Sequence, residues 1–95
     1  MSEIITSAVA ALNDRLSDGF AGVAKFVIDG EGSIIIDGNG ARAGDDDADV
    51  TLTASTETFQ GILSGDTNPT AAFMTGKLAV DGNMGMAMQL GALLS

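Results

Sequence analysis

The chain has no cysteine and no histidine. A disulfide framework and a thiol nucleophile are thereby excluded, as are an imidazole base and the usual zinc ligand sets. Basic residues are also scarce: four Lys and Arg stand against 13 Asp and Glu, a formal net charge of -9. So negative a chain repels phosphate backbones and anionic membrane surfaces at long range, and nucleic acid is not an expected partner. Long hydrophobic runs are missing as well. No stretch approaches the roughly 20 apolar residues of a bilayer span, and Met1 leads into a helix-like pattern without a basic leader, so integral membrane association is not expected. The C-terminal Leu93-Leu94-Ser95 is not the Ser-Lys-Leu type of peroxisomal address, and the expected location is cytoplasmic.

What the chain does have is 45% hydrophobic residues and 13 glycines in 95 positions, with a single proline. That composition suits a compact fold with many tight turns, and the length suits one domain, residues 1–95, of two packed layers.

Ile5, Val9, Leu12 and Leu16 recur at helical spacing with Ala8 beside them, which predicts an amphipathic helix over residues 3–17, with Ser2 as its cap and Asp18-Gly19 as its stop. The period then shortens to two. Ala24, Phe26 and Ile28, and after them Ile34 and Ile36, alternate with their neighbours as strand residues do, and Asp29-Gly30-Glu31-Gly32 and Asp37-Gly38-Asn39-Gly40 fall where such strands must reverse. The result is a three-stranded meander ending near Ala43. Val50, Leu52 and Ala54 alternate with Thr51 and Thr53 as a fourth strand buried on one face. Ser55 or Thr56 caps a short helix carrying Phe59, Ile62 and Leu63, ended by Gly65, and Asn68-Pro69 opens a second. Lys77 to Val80 read as a fifth strand turned by Asp81-Gly82. Asn83 then caps a helix to Leu94 in which only Gln89 is polar. Met84, Met88 and Leu94 fall on one side of that helix and Met86, Leu90 and Leu93 on another, so it is expected to be covered on more than one side. The fold class is α+β, with a single mostly antiparallel five-stranded sheet.

Two loops invite a chemical reading. Gly38 to Gly44 is rich in glycine, but its spacing is not that of a phosphate-binding loop and no helix follows, so it reads as hairpin punctuation. Asp45, Asp46, Asp47 and Asp49 are dense in oxygen ligands, yet an EF-hand count from Asp45 puts Val50 at position six and Thr56 at position twelve, so they read as a solvated turn. The other carboxylates form no acid–base pair. No enzyme activity, metal or cofactor is expected. The methionines are more informative: Met74, Met84, Met86 and Met88 crowd into the C-terminal quarter, and flexible, polarizable thioethers suit walls that adapt to apolar guests as well as they suit core packing.

Asp49-Val50-Thr51-Leu52-Thr53-Ala54, Phe59, Ile62-Leu63-Ser64-Gly65, Asn68-Pro69, Ala72-Phe73-Met74, Gly76-Lys77-Leu78 and the run Gly82 to Leu90 together resemble the sterol carrier protein 2 (SCP-2) sterol-binding domain family, over essentially the whole chain. The resemblance implies helices over one face of the sheet enclosing a hydrophobic tunnel, and non-enzymatic binding or transfer of a fatty acyl chain, fatty acyl-CoA, sterol or similar apolar lipid. Phe59, Ile62, Leu63, Phe73, Met74, Met84, Met86, Met88 and Leu90 are the candidate lining, each by apolar contact. One departure is Gly91, where eukaryotic carriers often have a glutamine, so sterol specificity is not carried over. Two other readings stay open: an accessory module presenting an isoprenoid or quinone-like lipid to partner enzymes, and an interaction module that uses its apolar C-terminal helix.

Overall fold

The computed structural model describes residues 3–16 and 19–94, with the side chain of Leu94 left aside; the expected caps at Ser2 and Asp18 lie outside the described residues. The elements follow the expected order: α1 (Glu3–Arg15), β1 (Ala24–Ile28), β2 (Gly32–Asp37), β3 (Gly40–Ala43), β4 (Val50–Ala54), α2 (Thr56–Ser64), α3 (Pro69–Met74), β5 (Leu78–Gly82) and α4 (Met84–Leu94). The first helix is shorter than expected, and β5 runs on through Asp81-Gly82, which do not form the turn assigned to them. Gly82 makes that extension possible. It pairs with Val50 at φ +104°, and a Cβ there would sit 2.5 Å from the Asp49 carbonyl oxygen.

The sheet order is β3-β2-β1-β4-β5. The meander β1-β2-β3 and the β4-β5 pair are antiparallel, but β1 and β4 run parallel, so the sheet is mixed. The cause is topological. Strands β3 and β4 point the same way, so the chain between them must travel back across the sheet. Residues 44–49 make that crossing on the face away from the helices. Ile35, fully buried there, stands between Lys25 and Arg42 in the register, with Gly44 against it. The acidic run is thus solvated but also tethered. Asp45 pairs with Lys25 at 2.8 Å and Asp46 with Arg42 at 3.5 Å, while Asp49 exchanges main-chain and side-chain hydrogen bonds with Val23.

The helices cover the other face, where Ala24, Phe26, Ile28, Ile34, Ile36, Val50, Leu52 and Ala54 form the core floor. Alternation explains this, because successive side chains of a strand point to opposite faces. Helix α1 buries Ile5, Ala8 and Leu12 against β2 and β3. It is clamped to the edge strand by Asn13, whose amide donates to the Ala41 carbonyl at 3.0 Å and accepts from the Ala41 N–H at 2.8 Å. The side chain does what a neighbouring strand would do. Helices α3 and α4 lie over β4 and β5.

Candidate binding cavity

Each helix around the site begins where its sequence places an oxygen cap. Ser55 Oγ accepts from the Thr58 N–H to start α2, Asn68 Oδ1 accepts from Thr70 and Ala71 ahead of Pro69 in α3, and Asn83 Oδ1 accepts from Met86 in α4. Gly65, at φ +89°, stops α2. These stops and starts fold three helices over one half of the sheet, where the register sets Phe26, Leu52 and Val80 in a row across β1, β4 and β5, with Leu78 beside Ala54.

Between that floor and the helices lies an apolar cavity of about 90 Å³. Phe26, Leu52, Leu78 and Val80 form its base, Ile62, Pro69 and Phe73 one wall, and Met84, Ala87, Met88 and Gly91 the other. Thr70 is the one polar residue among those described around it. Its mouth is ringed by large apolar side chains that remain in water: Phe73 is 41% exposed, Met84 44% and Met88 69%, with Met74 (79%) and Leu93 (44%) beyond them.

Of the nine candidates, the structure brings Ile62, Phe73, Met84 and Met88 together around this cavity. Phe59 and Leu90 are fully buried in the core, Phe59 against the Phe26 ring at 4.4 Å between centroids. Leu63 faces the other way, into a groove shared with Ile4, Ala8 and Ala11 of α1. Met86 lies over Gly22, where an added Cβ would meet its terminal methyl, and Met74 points to solvent. The groove beside Leu63 is larger, about 360 Å³, but it is more open and edged by Ser7, Gln60 and Ser64, which favours water over an apolar guest. The floor residues and Pro69, Ala87 and Gly91 line the cavity without being among the nine candidates. The strand alternation carries the signal for the floor, since Phe26, Leu52, Leu78 and Val80 share a face.

Helix α4 differs from its expectation. It buries Ala87 and Leu90 and leaves Met84, Met88 and Leu93 exposed, so its described side chains are covered on one side only. No charged residue occurs between Met84 and Leu94. Apolar contacts of Met86, Ala87 and Leu90 with the core and the Asn83 cap help to hold it in place.

Charge is concentrated elsewhere. At the β2–β3 turn, the hydrogen bond from Arg42, and then that from the Asn39 N–H, hold the Asp37 carboxyl below its ordinary value, and Asp37 in turn raises Arg42. Among the described residues no cluster of carboxylates is arranged to hold a metal ion, and no helix is long and apolar enough to cross a membrane.

Comparison with known proteins points the same way. The chain is 38% identical to human sterol carrier protein 2 over 80 residues, covering 80% of this chain and 14% of that protein. It is 36% identical to bovine hydroxysteroid dehydrogenase-like protein 2 over 93 residues, covering 90% of this chain and 22% of the relative. The chain thus spans less than a quarter of either relative. Among solved structures, sterol carrier protein 2 from Aedes aegypti in complex with the C16 fatty acid palmitate superposes with a TM-score of 0.79 at 23% identity, over 100% of this chain and 97% of that one. The mixed sheet, its helical cover and the match of residues 4–95 to the SCP-2 sterol transfer family agree: the chain belongs to that family.

Proposed function

We propose that this domain binds and carries a lipid without catalysis, holding a fatty acyl chain in the cavity between β1, β4, β5 and helices α2 to α4. The observation that carries this is the cavity itself: an apolar chamber whose mouth is ringed by Phe73, Met84 and Met88 in water. Exposed apolar residues of that size around a concave opening are what a hydrocarbon chain would cover. The palmitate complex of the Aedes relative supports the choice of guest. Ligand sites typically measure about 300 Å³ or more, so a long chain enters only if α4 swings outward. The uncharged lining fixes little beyond hydrocarbon, and the polar head stays at the mouth. With a net charge of -9, the protein disfavours the phosphates of an acyl-CoA relative to a free fatty acid.

Native mass spectrometry with solvent extraction, and displacement of a fluorescent fatty acid by palmitate, test this. One lipid per chain is expected, with displacement by acyl chains of several lengths. Absence of both an adduct and displacement refutes it, and so does lipid that protects the α1–α2 groove from hydrogen exchange while leaving α4 unchanged. A second reading takes the same exposed side chains as a protein-docking face; mass that rises with concentration in light scattering, with no lipid bound, favours it.

A further inference from the structure

The chain has no Cys, Trp, Tyr or His, so its peroxide-sensitive side chains are its five methionines. Met1 lies outside the described residues, and the other four occupy unlike positions. Met84 and Met88 line the cavity and also reach water, at 44% and 69% exposure. Met74 is 79% exposed and away from the cavity. Met86 is half-buried over Gly22. The two thioethers that would touch a guest are thus within reach of solvent oxidants, in a wall with no charge and little polarity.

Resting on the lipid-binding reading above, we propose that Met84 and Met88 are a modification site at which a peroxide switches lipid affinity off. The thioether sulfur attacks one peroxide oxygen and the O–O bond breaks. Sulfur is oxidised by two electrons to the sulfoxide, and the other oxygen, reduced, leaves with the proton as water. The product puts a strong dipole where hydrocarbon must lie, and a polar oxygen facing a buried acyl chain has no partner there. Affinity falls by at least about tenfold, which corresponds to about 1.4 kcal/mol. The change is reversible, because methionine sulfoxide reductases return the thioether.

Graded hydrogen peroxide, followed by peptide mass spectrometry and titration with a fluorescent fatty acid, tests this. Met74 and Met88 should oxidise first, Met84 next and Met86 last. Bound palmitate should slow Met84 and Met88 but not Met74. Oxidised protein should bind at least about tenfold more weakly, with an unchanged circular dichroism spectrum, and regain affinity on reductase treatment. In the double variant M84L/M88L the ratio of affinities before and after peroxide should fall to about one, whereas in M74L it should stay at about ten. Oxidised protein that binds as before overturns the proposal, as does an equal loss in M84L/M88L or a loss that tracks unfolding. If the unoxidised protein binds no fatty acid, the lipid reading falls and takes this one with it; if it binds and oxidation changes nothing, only the sulfur switch falls.

Discussion

Filling the cavity should stabilise the protein and abolish its binding at once. Ala87 is 7% exposed and lines the cavity from α4, so Ala87→Leu sends three further carbons into the space. An apolar void costs about 24 cal/mol per Å³, so about 90 Å³ costs about 2 kcal/mol. Three buried carbons return about 0.8 kcal/mol each, less about 0.5 to 1 kcal/mol of leucine rotamer entropy, leaving a gain of about 1 to 2 kcal/mol. In a domain this small that raises Tm by about 5 to 15 °C. The same side chain occupies the volume a lipid must enter, so affinity for a fluorescent fatty acid should drop by at least about tenfold. Thermal unfolding by circular dichroism and a displacement titration on one preparation read both effects. Opposite signs are the signature: a variant that melts lower than the parent shows that the space is already filled, and one that binds lipid as before shows that the guest lies elsewhere.

Asn13→Ala strips both partners from Ala41 on the edge strand; the unpaired N–H and carbonyl should cost about 1 to 3 kcal/mol in urea unfolding, and a loss below about 0.5 kcal/mol would mean that water replaces the clamp. Gly82→Ala puts a Cβ at φ +104° against the Asp49 carbonyl and should destabilise by at least about 2 kcal/mol, whereas a neutral result would show that β5 frays there. The folded Asp37 carboxyl lies below its ordinary 3.8, so its contribution is complete above that value and disappears as pH falls through the lower folded one. Asp37→Asn should therefore flatten the acid limb of the Tm–pH curve below about pH 4 without altering its neutral plateau relative to its own value at pH 6; an unchanged acid limb contradicts this.

Local signals were readable wherever one residue type answers a local need. Ser55, Asn68 and Asn83 are caps in the structure because each offers an oxygen one position ahead of a helix, and strand alternation named the buried face. Pairing between distant segments left no such mark. Nothing in Val50 to Ala54 distinguishes a strand that pairs parallel to β1 from one that pairs antiparallel. The lining of the cavity was legible only in part, for a related reason. Helical phase is legible only where polar residues mark the outer face, and α4 has Gln89 alone, so the directions of Met84, Met86 and Met88 were set by packing. Met74 had an apolar neighbour in Phe73, but a helix as short as α3 gives too few turns to define a stripe.

The parallel β1–β4 pair also bears on the order in which the chain assembles. Strand β1 can close on β2 through a tight turn, but it meets β4 only after residues 29–49 have been looped out, a contact of high sequence separation and slow closure. The meander with α1 should therefore form early and the β4–β5 half, with α3 and α4, dock late. Mutations such as Leu52→Ala or Leu78→Ala should then speed unfolding more than they slow folding, the reverse of Ile34→Ala. A segment that joins the nucleus last is also the one that parts from it most cheaply, so the route by which α4 would open to a guest retraces the final step of folding.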